Sequence, residues 1–252
     1  MRIVSLVPST TASLCEVGLE RYIVGCTNFC VEPSHLAKSC TLIGGTKDPS
    51  IDLIHQLNPS HIFANKEENR REDVEALAEK FAVNVTHPQS PEDVPKVLGS
   101  WRDFLGLEGL FSDEITTIHK LLTELKEKTL GRKKSSFIYL IWKDPYMAVG
   151  GDTYISRLLE SMGLENKISH LDRYPPLELA DIQSLNPDYI FMGTEPYPFR
   201  KRDLKDFSEF VGPVFIKVDG RLASWHGLHL IDAIKIYLDK GLKESAMFKS
   251  FN

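Results

Sequence analysis

The chain has 252 residues, 42% apolar and 26% charged, with 30 lysines and arginines against 35 aspartates and glutamates. That size and balance fit an ordinary globular protein of one large domain or two small lobes. A net charge of −5 argues against a dedicated nucleic-acid binder, which would carry a basic face. The clusters Arg132-Lys133-Lys134 and Arg200-Lys201-Arg202 read as solvated loop charge.

In chain order, Met1-Arg2 runs directly into Ile3–Val7, a strand-like run too short for a signal segment with a cleavage site. No later stretch approaches the ~20 apolar residues of a membrane span. The chain as written is therefore expected to be cytoplasmic, or periplasmic or membrane-anchored and extracellular if a leader was removed. Ser9 or Thr10 is expected to cap a helix carrying Ala12, Leu14, Cys15 and Val17, with Gly18 as its stop. A second strand is predicted over 22–26. Cys15, Cys26, Cys30 and Cys40 are too few for a disulfide scaffold in a chain this long. The Cys26/Cys30 pair lacks the second pair a structural metal site would need, so no metal is assigned.

Ser50 is expected to cap a short helix with Leu53, Ile54 and Leu57, followed by a strand over 61–64 and another over 83–86. Ser90-Pro91-Glu92-Asp93 has the order of a cap, a first-turn proline and first-turn acids. Ser112-Asp113-Glu114 opens the longest helical pattern, with Ile115, Ile118, Leu121, Leu122 and Leu125 at three- and four-residue spacing. Lys126, Lys128 and Gly131 close it. Further strands are predicted over 137–141, 188–192 and 214–218. Short buried strands separated by helices predict an α/β fold with mainly parallel sheets.

The chain also repeats itself. Leu57-Asn58-Pro59-x-x-Ile62-Phe63 returns 128 residues later as Leu185-Asn186-Pro187-x-x-Ile190-Phe191. The segments ending Val17-Gly18-Leu19-Glu20 and Met162-Gly163-Leu164-Glu165 also correspond. Each half is expected to hold one copy of the same α/β unit, giving lobes 1–110 and 131–252 bridged by one long helix, 111–130. Pro59 and Pro187 each stop a helix, since proline lacks an N–H and disfavours helical geometry at the preceding Asn. Polar residues then come after each strand at its carboxyl end, where open parallel sheets carry their crevice. The expectation is that Asn65-Lys66-Glu67 and Thr194-Glu195-Pro196-Tyr197 are the jaws of one cleft.

These motifs give the chain a resemblance to a known family. "RIVSLVPSTTASLCEVGLERYIVGCT", "DLIHQLNPSHIFA", "DIQSLNPDYIF" and "MAVGGDTYISRLLESMGLEN" resemble the helical-backbone (class III) substrate-binding proteins of ABC importers, in a vitamin B12-binding-protein-like pattern. The resemblance implies two α/β lobes joined by a rigid helix and a ligand held between them. The ligand would be cobalamin, haem, an iron-siderophore or a metal, with no intrinsic cofactor, no catalysis and a membrane permease as partner. Phe29 keeps one aromatic position of the corrin-binding pattern, while Thr46 and Asn65 stand where tryptophans are expected. Docking in the family uses an acid seven residues before the motif proline. That position is Asp52 in the first half and Ala180 in the second, where Glu178 and Asp181 flank it.

Candidate ligand contacts in the first half are Phe29, Cys30, Lys47, Asn65, Lys66 and Glu67. Lysine would attract carboxylates or phosphates, and glutamate a hard cation or an amine. The bland reading of Lys66–Asp73 is a surface helix opening with acids at its positive end. In the second half Trp142, Tyr146, Glu195, Tyr197, Trp225 and His226 come after strand ends, the pattern of a largely apolar pocket with a few orienting polar groups. Core packing under loops is the alternative. His226 and His229 are expected to share a helical face, and Cys30 is either a soft ligand or a buried thiol. The glycine pairs match no nucleotide motif, and no nucleophile–base–acid set is readable. The competing functions are a cytosolic binder, sensor or store of the same fold without a permease, and an enzyme using Glu67, Glu195 or His226. The chain is expected to be a monomer without nucleic-acid partners or direct membrane insertion.

Overall fold

A computed structural model of the protein describes residues 1–242 and 246–251. The chain forms two compact units. The first comprises Met1–Pro88, Val94–Thr116 and His226–Leu228, the second Gln89–Asp93, Thr117–Trp225 and His229–Asn252.

The first unit runs β1 (Ile3–Ser5), α1 (Pro8–Glu16), β2 (Ile23–Cys26), β3 (Thr41–Leu42), α2 (Ile51–Leu57), β4 (His61–Asn65), α3 (Arg71–Ala78), β5 (Val83–Thr86) and α4 (Val94–Leu105), and then enters α5 (Ser112–Thr129). Its five strands are all parallel in the order β3-β2-β1-β4-β5. Val4, Leu6, Ile43, Ile54, Ile62 and Leu77 form one core. The alternate residue of β4, Phe63, points to the other face and meets Trp101 and Phe104 edge-on, with centroids 6.1 and 5.4 Å away. Burial on both faces explains why β1 and β4 read as apolar runs.

The second unit continues from α5 through β6 (Ser135–Trp142), β7 (Met147–Ala148), α6 (Tyr154–Ser161), β8 (Leu164–Asn166), α7 (Leu179–Leu185), β9 (Tyr189–Gly193), β10 (Val214–Val218), α8 (Gly220–Ser224), α9 (His229–Lys240) and β11 (Phe248–Ser250). The sheet order is β11-β10-β9-β6-β7, with β8 also paired to β6. β7 and β11 are antiparallel additions; the rest are parallel. Ile138, Leu140, Ile190 and Met192 pack on one face, and Phe137 and Phe191 meet on the other at 5.5 Å.

The internal repeat is a repeat of topology. The order β2-β1-β4-β5 in the first unit recurs as β8-β6-β9-β10 in the second. Its punctuation is the same to within a few degrees. Asn58 and Asn186 cap α2 and α7 in left-handed geometry, with φ of 44° and 42°. Asparagine tolerates that region better than other side-chain-bearing residues, and the next residue, proline, forbids a further turn. Gly18 and Gly163 stop α1 and α6, each at φ +80°.

Ser50 caps α2 by accepting from Leu53 N, as its position predicts. At the start of α1 the expectation is corrected. The helix begins at Pro8 behind Val7, which makes no side-chain cap. Ser9 and Thr10 lie buried inside the first turn, because a proline preset for the first helical position starts the helix earlier. Among the described residues, no helix is long and apolar enough to cross a membrane.

Candidate ligand-binding site

In both sheets the strand order reverses beside one central strand, β1 in the first unit and β6 in the second. The space outside the carboxyl ends of such strands is where open parallel sheets place ligands.

In the first unit one buried side chain organises these ends. Asn69 Oδ1 accepts from Asn65 N at 2.8 Å, while its Nδ2 donates to Leu6 O at 3.2 Å and Thr46 O at 3.0 Å. The ends of β1 and β4 and the loop after β3 are thereby pinned together. Asn65 is itself buried, and its Oδ1 accepts from Glu67 N at 2.7 Å. Lys47 Nζ donates to Glu67 O at 2.6 Å. The Glu67 carboxylate meets His87 Nε2 at 3.0 Å, both side chains about three-quarters buried. Lys66 is exposed. Lys47, Asn65, Lys66 and Glu67 therefore share one rim, to which His87 adds a group that sequence reasoning missed. Its signal was available: it comes directly after β5, as Lys66 does after β4.

Phe29, in the loop after β2, is 58% exposed, a large apolar ring the core does not use. Cys30, next to it, is buried. Its Sγ lies 3.1 Å from Thr11 Oγ1 and 3.3 Å from Thr27 Oγ1. The thiol is pulled down to about 7, foremost by the Cys26 thiol beside it. Thr11 has already donated its one hydroxyl proton to Val7 O, so Cys26 and Thr27 are left as the donors. His226 also belongs to this unit. It is buried, with Nδ1 3.5 Å from Ser9 Oγ and its ring 6.2 Å from Trp101.

In the second unit Trp142 ends β6, 42% exposed, and meets Tyr197 edge-on at 5.9 Å. Tyr197 N donates to Ile141 O, which fixes the loop after β9 against the end of β6. Behind this pair lies a charged cluster. Lys143 Nζ is 3.2 Å from Asp203 Oδ1 and 2.7 Å from Asp206 Oδ2. Tyr146 OH donates to Asp206 at 2.7 Å, and the Tyr146 ring is buried on Phe207 at 5.2 Å. Lys143 is raised, chiefly by Asp206, and Asp206 is lowered in turn, chiefly by Lys143. Tyr146 is thus core and anchor, while Trp142 and Tyr197 offer ring surface.

Glu195 turns inward. Its carboxyl is raised above the ordinary range by burial, with Asp219 adding to the effect. Arg221, the Trp225 side chain and the Ser224 hydroxyl work against it. Trp225 is buried, ends α8 and packs on His229 at 4.8 Å. The expected shared helical face of His226 and His229 is corrected here. Gly227 at φ +83° breaks the chain between them, so only His229 is helical. The two rings sit in different surroundings, His226 against Trp101 and His229 against Trp225.

The motif acids differ between the repeats. Asp52 is the second residue of α2 and exposed. Asp181 is the third residue of α7, and its carboxylate accepts from Glu178 N at 3.3 Å in a capping box. Among the described residues no group of three or more metal-ligating side chains is arranged to hold an ion.

Residues 3–211 match the family model described as periplasmic binding protein. The chain belongs to that family. The periplasmic vitamin B12 binding protein BtuF of Vibrio cholerae superposes with a TM-score of 0.79 at 13% identity, covering 93% of each chain. A periplasmic haem binding protein from Pseudomonas aeruginosa gives 0.82 at 15%, over 100% of this chain and 98% of that one. The Staphylococcus aureus protein IsdE, complexed with haem, gives 0.76 at 16%, over 96% and 99%. At these identities the likeness is one of fold, that of the helical-backbone binding proteins. No curated protein matches the chain in sequence. Family members are solute-binding proteins of transport systems rather than enzymes.

Proposed function

We propose that the protein captures a small metal-bearing ligand, a corrinoid, haem or iron chelate, at the carboxyl ends of its sheet strands and presents it to an ABC importer. The reading rests on family membership, on similar folds whose names state vitamin B12 and haem as ligands, and above all on one observation. Each sheet carries an exposed aromatic ring near its strand ends that no core uses: Phe29 in the first unit and Trp142, backed by Tyr197, in the second. A flat conjugated macrocycle offers such rings stacking area, worth roughly 0.5–1.5 kcal/mol per aromatic pair beyond burial. The Lys47–Lys66–Glu67–His87 rim supplies charged groups suited to a ligand's carboxylates or amides. Asp52 and Asp181 are the permease-docking carboxylates of this reading.

The test is native mass spectrometry and visible absorbance on freshly purified protein, then thermal shift with cobalamin, cobinamide, haemin and ferric chelates. Ligand at a hundredfold excess over Kd stabilises by about 2.7 kcal/mol. Phe29→Ala and Trp142→Ala are expected to fold normally, since both rings are exposed, and to weaken binding about 2- to 13-fold each. Unchanged affinity in both variants would overturn the assignment.

A further inference from the structure

All four cysteines lie in the first unit and all are free thiols. Three of them converge at the end of β2. Cys26, the last residue of β2, has its Sγ 3.0 Å from Cys40 Sγ, inside van der Waals contact. Cys26 also shares a hydrogen bond with Cys30. Cys26 is fully buried, whereas Cys40 is half-buried. The segment between them carries Phe29.

We propose that Cys26 and Cys40 are a dithiol modification site, oxidised by a hydroperoxide to a disulfide that closes the 26–40 loop at its base. Reaching a bond of about 2.05 Å asks the two sulfurs to approach by only about 1 Å. Exposure sets the order of events. Cys40 is the less buried of the two and so the thiol a peroxide reaches first. The Cys40 thiolate attacks the peroxide O–O bond, taking one oxygen as sulfenic acid and releasing the other as an alcohol or water. Cys26 then attacks the Cys40 sulfur. The S–S bond forms, hydroxide leaves, and the proton from Cys26 makes it water. Two thiols and one hydroperoxide thus give one disulfide, one alcohol or water and a further water. Cys15, on α1, is not part of this sulfur contact.

The experiment uses the full chain, reduced, desalted and titrated with hydrogen peroxide. Remaining thiols are then alkylated and tryptic peptides mapped. Cleavage after Arg21, Lys38 and Lys47 puts Cys26 and Cys30 on one peptide and Cys40 on the next. One equivalent of peroxide is expected to consume two thiols, lower the mass by about 2 Da and cross-link these peptides, reversibly with dithiothreitol. Fragment ions between residues 26 and 30 are expected to place the bond on Cys26, and Cys30→Ser to retain it. Cys40→Ser, a substitution at a half-exposed position, is expected to abolish it in a normally folded protein. A bond through Cys15 or Cys30, irreversible oxygen adducts on Cys40 without cross-linking, or no thiol loss at excess peroxide would each overturn the proposal.

Discussion

Lys143→Met tests whether the second unit's strand-end loops are held by a buried charge cluster. The substitution keeps most of the stem and removes the ammonium from between Asp203 and Asp206, 3.2 and 2.7 Å away. The three side chains are 13%, 4% and 25% exposed, so the pairing is poorly screened. Removing one partner of a buried pair costs roughly 3–5 kcal/mol when the other is left bare. Here neither carboxylate is left bare. Asp203 Oδ2 still accepts from Arg200 N at 2.8 Å, and Asp206 still accepts from Tyr146 OH at 2.7 Å. The expected loss is therefore about 2–3 kcal/mol. It should appear as a lower urea midpoint with unchanged slope, monitored by far-UV circular dichroism.

The pH dependence gives a second reading of the same variant. Asp206 is lowered by Lys143 first and then by Tyr146. For Asp203, burial pushes upward, but Arg200 N–H and Lys143 outweigh it and the net direction is down. Depressed acids contribute stability that is present above their unfolded value of about 3.9 and is lost as pH falls through the folded value. The gap between wild type and Lys143→Met should therefore narrow below about pH 4. A loss under about 0.5 kcal/mol, the scale of an exposed pair, or a gap that does not narrow in acid, would refute the reasoning.

Gly18→Ala and Gly163→Ala place a side chain at the same φ of +80°, so each should cost about 1 kcal/mol. A Cβ at Gly18 meets nothing within 4 Å, whereas at Gly163 it lies 3.2 Å from Thr129; Gly163→Ala should therefore be the worse of the two by thermal unfolding, and the reverse order would contradict the packing. Glu195→Gln should remove a pH dependence: because the folded carboxyl is raised, the folded state holds the extra proton, and wild-type stability should decline as pH rises from about 4.3 through the folded value. Urea midpoints measured from acid to neutral pH should show that decline in wild type alone, and an equal decline in the variant would assign it elsewhere.

Most of the sheet framework was legible because its central strands, such as β4, β6 and β9, are apolar runs buried along most of their length. All seven predicted strands exist, within two residues at each end. The four unpredicted ones, β3, β7, β8 and β11, have two or three residues each, too short for any period. The site was legible only in part. Position after a strand pointed to Trp142 and Tyr197, but the Lys143–Asp203 pair joins residues sixty apart and the Cys26–Cys40 contact depends on a loop folding back. No local pattern encodes either. His226 and His229 mislead for the opposite reason: their spacing is helical, and Gly227 cancels it.

The two repeats share their backbone punctuation and differ in the side chains beyond each strand end. After β4 the chain is fixed by backbone-directed amides, Asn65 and Asn69, and a charged rim is left outside. After β9 the corresponding turn buries a carboxyl against Trp225 and Ser224 and leaves the Tyr197 ring beside Trp142. Left-handed asparagines, stopping glycines and motif prolines suffice to build each unit, because they set where helices end and strands begin. The exposed side chains at the strand ends, such as Phe29 and Lys66, carry no such duty and can diverge without harm to the fold. This explains why identities of only 13–16% accompany TM-scores near 0.8. On the proposed function, ligand choice is to be sought in residues such as Phe29, His87 and Trp142 rather than in the repeated motifs.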